Sequence, residues 1–186
     1  MAAPASTVPA TLTRRFLDDF EPVGHAEQRH VYRVLLAMLR DPDAADDLTQ
    51  ECFLRAYQHR TRFRGDCSVR TWLLRIAMNL VRDRAKSRRW QFWRILFQQA
   101  TTDAELKDDP RASPERTALA RAELADVWSA VATLSSQQRA VFVLRFVEEM
   151  SIEEIAAATS LRPGTVKAHL FRATGAVRKC IKERQR

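Results

Sequence analysis

Apolar residues recur three and four apart along almost the whole chain, a period that predicts helices rather than strands. Val31 to Leu39 forms one apolar helix that should end near Asp41-Pro42, because the residue before a proline is driven out of helical geometry. A second helix is expected from about Ala44 to His59. It carries Ala45, Leu48, Cys52 and Ala56 on an inward stripe and Asp47, Gln50, Glu51 and Leu54 on another face. After the Gly65-Asp66 turn, Val69, Trp72, Leu73, Ile76, Ala77, Leu80 and Val81 follow the same helical spacing, while Thr71, Arg75, Asn79, Arg82 and Lys86 make an opposite face that is polar and cationic. No alternating Val/Ile/Thr runs between hairpin turns interrupt this pattern, so the expected fold is all-α.

The periodicity stops between Ala100 and Glu115, where ATTDAELKDDPRASPE is polar, acidic and broken by Pro110 and Pro114. Such a stretch has too little apolar area to fold alone and reads as a flexible acidic linker between two small helical domains. The resulting map is a flexible tail at 1–12, a first domain at 13–99, a linker at 100–116 and a second domain at 117–186. The second domain opens with Ala120, Leu124, Val127, Trp128 and Val131 on one stripe. Ser135 with Gln138, and Ser151 with Glu154, have the spacing of capping boxes, which satisfy amide donors left over at a helix start. The short helix IEEIAAAT leads through Ser160-Leu161-Arg162 to Pro163, placed at the first position of the next helix, where its missing N–H costs nothing. Two helices joined so tightly are a helix-turn-helix candidate, the alternative being an αα-hairpin packed for structure, with Ile155, Leu161, Val166 and Leu170 as the wedge between them.

Charge sharpens this map. The formal net charge is +8, but it is segregated: Arg60 to Arg94 holds eleven Lys/Arg against Asp66 and Asp83, and Arg162 to Arg186 holds eight against Glu183. Separate basic surfaces of this kind attract phosphates and release counterions, so they point to nucleic acid. The final helix exposes Thr165, Lys167, Ala168, His169 and Arg172 after Arg162, and Arg178, Lys179 and Lys182 follow. Small and polar groups near a helix start meet base edges in a major groove, and cations farther along hold phosphates.

Cys52, Cys67 and Cys180 are odd in number and far apart, which argues for a reducing compartment and against a disulfide framework or a zinc site. The four histidines lack metal-ligand spacing, and no catalytic constellation is visible, so neither a metal nor another cofactor is expected. The start, MAAPASTVPATLTRR, has no apolar core segment, and no apolar run approaches membrane-spanning length. The expectation is a soluble cytoplasmic protein without membrane insertion.

Five stretches in order carry a family resemblance: Asp46-Asp47-Leu48-Thr49-Gln50-Glu51, then Phe63-Arg64-Gly65-Asp66, then Thr71-Trp72-Leu73, then Asn79, then Gly164-Thr165-Val166-Lys167 with Leu170-Phe171-Arg172-Ala173. Together they resemble the extracytoplasmic-function class of bacterial RNA polymerase sigma factors, over about Val31 to Arg89 and Glu115 to Lys182. The resemblance implies a sigma factor, not an enzyme, that binds core RNA polymerase, directs it to promoter DNA and assists promoter opening. It makes the first domain region 2 and the second region 4. Asp47, Gln50, Glu51 and Leu54 are then core polymerase contacts, an acidic face with an apolar anchor suited to a basic helical partner. Phe63, Arg64, Asp66, Ser68 and Asn79 are placed at a pocket for an unstacked minus-10 base, with Arg75, Arg82, Lys86 and Arg88 on the backbone. Trp72 falls on the apolar stripe and reads as core. Arg162, Thr165, Lys167, Ala168, His169, Arg172, Arg178 and Lys179 are placed on minus-35 duplex.

Two departures stand out: Ser160 occupies the helix-turn-helix turn, where the family commonly has glycine, and the proline is shifted to Pro163. The apolar stretch Trp90 to Phe97 reads as a terminal helix packing back on the core, or as a dock for the second domain or for an inhibitory anti-sigma partner. Cys67 has no visible activating or resolving partner for redox sensing. Two rival readings remain: an ordinary helix-turn-helix regulator, which leaves the acidic helix unexplained, and a metal-dependent nuclease, for which Asp46, Asp47 and Glu51 lack a pairing group.

Overall fold

The structure is a computed structural model that describes residues 20–86 and 124–184, and among these every regular element is a helix. The expected N-terminal tail, the linker, the Trp90 to Phe97 segment and Arg88 lie outside the described residues, as does the side chain of Lys86.

Helix α1 spans Phe20–Leu39 and starts well before the apolar pattern predicts. Its first half carries Glu21, His25, Glu27 and Gln28, so periodicity alone misses it; a tertiary ion pair, Arg70 Nε donating to Glu27 at 2.7 Å, holds that half in place. Arg40, in the left-handed region at φ 56°, ends α1 near the predicted point. Asp41 then caps α2 (Pro42–His59), its carboxylate accepting from the Ala44 N–H at 3.0 Å. The predicted stripe of Ala45, Leu48, Cys52 and Ala56 is buried, and the Cys52 thiol donates to the Leu73 carbonyl. A short 3₁₀ turn, Arg60–Arg62, leads to a loop and to α3 (Val69–Lys86). Ser68 caps α3: its hydroxyl accepts from the Thr71 N–H at 3.1 Å.

In the second half, α4 is described over residues 124–132, followed by α5 (Ser136–Phe146), α6 (Ile152–Thr159) and α7 (Pro163–Arg184). Both capping boxes form as predicted, with Ser135 and Gln138 on α5 and Ser151 and Glu154 on α6. Pro163 is the first residue of α7. Ser160, at φ 59° and ψ 31°, closes α6 in the left-handed conformation, where glycine avoids a Cβ clash. The departure at this position therefore has a steric cost, offset by the bonds of the Ser160 and Leu161 N–H groups to the Ala156 carbonyl.

The two halves share one core. Val31, Val34 and Leu35 of α1, Leu73, Leu74 and Met78 of α3, and Val141, Leu144, Ile155 and Val166 of the second half belong to one continuous cluster of buried residues. Helix α3 packs against α6, and α1 against α5. This contact corrects the prediction for α3, whose non-core face was expected to be open. Thr71 is buried rather than solvent-facing, and Leu74 and Met78, off the predicted stripe, are buried as well. A smaller cluster, Ala130, Val131, Leu134, Phe142, Ala173 and Val177, joins α4, α5 and α7.

Candidate partner and promoter surfaces

On α2 the face opposite the core stripe holds Asp47 and Gln50, both exposed, and Glu51, whose carboxylate takes a 2.7 Å bond from Arg55 Nε one turn later. Leu54 is 53% exposed on this face, and Tyr57, three residues on, is exposed beside it with the Arg60 guanidinium 4.1 Å from its ring centre. Two large apolar side chains held in water next to carboxylates are what a protein interface displays before it is covered. Tyr57 was not among the predicted contacts, although its spacing from Leu54 places it on the same face.

The loop before α3 divides the predicted pocket residues. Arg64 and Asp66 are exposed around Gly65, which is buried at φ 77°, a backbone angle that favours glycine. Phe63, by contrast, is buried, its ring 5.4 Å from that of Trp72, so it braces the loop and offers no open ring face. Ser68 is occupied as the cap of α3, with its hydroxyl 2.8 Å from that of Thr71. Trp72 is half-buried against the core, in line with its place on the stripe. Cys67 is half-buried beside the loop; burial pushes its thiol pKa up, and Arg75 only partly opposes this, so the thiol has little nucleophilic character. The pKa of Cys52, deeper in, is pushed up to about 12 by burial.

Two cations of α3 bond within the chain, although Arg82 stays exposed. Arg75 Nε donates to the Ala157 carbonyl at 2.7 Å, and Arg82 Nη2 reaches the Thr159 carbonyl at 3.4 Å. Both acceptors lie in the last turn of α6, the end of a helix where unpaired carbonyls concentrate negative charge. Asn79, on the same stripe as Arg75 and Arg82, is half-buried.

On α7 the arrangement is open. Arg162, Lys167, Ala168, Arg172, Arg178 and Lys179 are exposed, while Val166, Ala173 and Val177 turn inward. Arg172 Nε donates to the Ala168 carbonyl at 3.2 Å. Thr165 and His169 are half-buried at the margins of this face. Phe171 stands in the middle of it, 80% exposed, a residue the sequence reading left without a role.

A further cluster, not foreseen from sequence, joins the halves. The Glu148 side chain is fully buried in the loop between α5 and α6, and its carboxylate meets His30 Nδ1 at 2.7 Å and Arg33 Nη2 at 2.8 Å, both on α1. Arg70 Nη2 lies 3.1 Å from His30 Nε2 and also pairs with Glu27. With its proton on Nδ1 the ring donates to Glu148 and accepts from Arg70 at Nε2, and the Arg33 Nη2 that lies 2.9 Å from Nδ1 then donates to Glu148 alone. Among the described residues no three of His, Cys, Asp or Glu converge to hold a metal, and no helix is long and apolar enough to cross a membrane.

Comparison with known proteins gives the family of the chain. Residues 25–91 match the family described as Sigma-70 region 2, and residues 124–175 match Sigma-70, region 4. The RNA polymerase sigma-H factor of Pseudomonas aeruginosa is 33% identical over 159 residues, covering 83% of this chain and 81% of that protein. The ECF RNA polymerase sigma factor SigC of Mycobacterium tuberculosis is 32% identical over 152 residues, covering 82% and 77%. Among solved structures, the Bartonella quintana sigma factor RpoE, determined with the anti-sigma factor NepR, shares the fold with a TM-score of 0.68 at 20% identity, over 88% of this chain and 97% of that one. An all-helical chain carrying region 2 and then region 4 defines the class, a sigma factor of the sigma-70 type. Within that class the chain belongs to the extracytoplasmic-function (ECF) family of RNA polymerase sigma factors, whose work is promoter-specific initiation with RNA polymerase.

Proposed function

We propose that this sigma factor divides its work among three surfaces: the open face of α2 for core polymerase, the loop and α3 for the minus-10 element, and the open face of α7 for the minus-35 duplex. The chain itself is non-catalytic and acts in the cytoplasm, where the polymerase supplies the chemistry. On α2, Asp47, Gln50 and Glu51 steer a basic partner helix, and Leu54 with Tyr57 anchors it by burial. In region 2, Arg64, Asp66 and Asn79 line the pocket for an unstacked base, Phe63 and Ser68 shape it from behind, and Arg75, Arg82, Lys86 and Arg88 track the backbone. In region 4, Arg162, Thr165, Lys167, Ala168, His169 and Arg172 meet the major groove, and Arg178 and Lys179 hold phosphates.

The observation that carries this reading is the exposed pairing of carboxylates with Leu54 on α2, in the same domain as the loop and α3. An ordinary helix-turn-helix regulator has no use for that surface. The anti-sigma factor in the RpoE complex supports regulation of this chain by a protein of the same kind.

Three measurements test the assignment. Leu54→Ala with Asp47→Ala should abolish retention on core polymerase. Asn79→Ala should impair promoter opening and leave core binding intact; equal loss of both would mean that position is misassigned. Transcription with reconstituted polymerase on a genomic promoter library should yield promoters that share two spaced elements.

A further inference from the structure

We propose that His169 selects a guanine in the minus-35 element, with its ring locked as a hydrogen-bond donor at Nε2. This rests on the reading of α7 as the minus-35 surface given above.

His169 follows exposed Ala168 on α7 and stands one turn after Thr165, half-buried at the margin of the open face. Its Nδ1 is sealed from solvent and has no hydrogen-bond partner. Among the described residues none bonds to Nε2, and that atom is not sealed. A neutral imidazole carries its proton on one nitrogen and a lone pair on the other. On Nδ1 the proton would make a buried N–H without an acceptor, the rarest kind of unpaired group in native structures and a costly one. The proton therefore belongs on Nε2, where solvent or a ligand can take it. His30 shows the opposite arrangement, since its Nδ1 has the Glu148 carboxylate to donate to and its Nε2 faces Arg70.

A donor without an acceptor discriminates among base edges. In the major groove guanine presents two acceptors, N7 and O6, whereas adenine sets an amino donor beside its N7, cytosine presents a donor, and thymine pairs one acceptor with a methyl group. The outward N–H of His169 is therefore matched by guanine and opposed by the amino groups of adenine and cytosine. A freely turning histidine could change tautomer and accept from those amino groups instead. Here that change would seal an N–H at Nδ1, so the burial that locks the proton also rejects the wrong bases. Its neighbours on the helix do not supply this choice. The Thr165 hydroxyl can donate or accept, Ala168 does neither through its side chain, and Arg172 spends its Nε on the Ala168 carbonyl.

The test uses holoenzyme and a promoter that it selects, with the minus-35 element randomised. Wild type should retain guanine at one position where His169→Ala accepts every base, and His169→Arg, which offers only donors, should restore guanine there. Exchanging that G·C pair for A·T should weaken binding by wild type about tenfold and change binding by His169→Ala by less than about twofold. Nitrogen NMR of the imidazole rings in the free full-length chain, at about pH 8 where an ordinary imidazole is neutral, reports the tautomers. The signals lost in His169→Ala should show the proton on Nε2. A proton on Nδ1, an unchanged base preference in His169→Ala, a preference for another base that depends on His169, or uniform weakening across all sequences, as for a phosphate contact, overturns the assignment and leaves α7 on the minus-35 element. Unchanged promoter binding by an Arg172→Ala holoenzyme would instead remove that reading of α7, and the selection of guanine with it.

Discussion

Helices α3 and α7 are both basic and amphipathic, and each was assigned to DNA on that pattern, yet the fold treats them differently. On α7 the cationic face is open and its apolar stripe is covered by α5 and α6. On α3 one face packs on α1 and α2 and part of the other on α6, with Arg75 and Arg82 turned onto α6 carbonyls while Arg82 and Asp83 stay exposed. A charge pattern thus says what a face can bind, whereas packing says whether that face is available.

The strongest way to break this comparison is at Leu74, which is buried on α3 off the predicted stripe. Leu74→Ala should destabilise the full chain by about 2–5 kcal/mol in urea unfolding, as Leu73→Ala should on the core side. A cost below about 0.5 kcal/mol, typical of a surface site, would mean that Leu74 is not buried in solution. Next comes the open helix: Arg172→Ala should weaken binding to minus-35 duplex and lower the slope of log affinity against log salt by about 1. An unchanged slope would count against a phosphate contact there.

Two smaller effects probe how α6 is held against α3. Ser151→Ala removes the capping box of α6 and should lower stability by about 1 kcal/mol. Ser160→Gly relieves the left-handed backbone at the end of α6 and should raise the melting temperature slightly, by the equivalent of a few tenths to about 1 kcal/mol. Should Ser160→Gly instead lower it, the steric account of that turn is wrong.

Much of this was legible in the residues. The buried stripe of α2, both capping boxes, the end of α1 at Asp41 and the wedge of Ile155 and Val166 follow from helical period and local hydrogen-bond chemistry, which act over three or four residues. Exposed candidates such as Asp47, Leu54, Lys167 and Arg172 were readable for the same reason: each lies on the far side of a stripe that must be buried. The burial of Phe63 was not legible because a loop residue has no period, and only its neighbour Trp72 shows that it faces inward. The first half of α1 was missed because its apolar positions are sparse and a partner on α3 completes it.

By itself, then, the sequence determined the helices, their caps, the inner stripe of each and the segregation of charge, all consequences of interactions between near neighbours along the chain. Tertiary structure alone decided that Glu148 meets residues of α1, that Arg75 and Arg82 face a helix end, and that Leu74 is inside. Those contacts join positions far apart in the chain, and no local period records them. Their free energy exists only once the two halves exclude water from the surface between them.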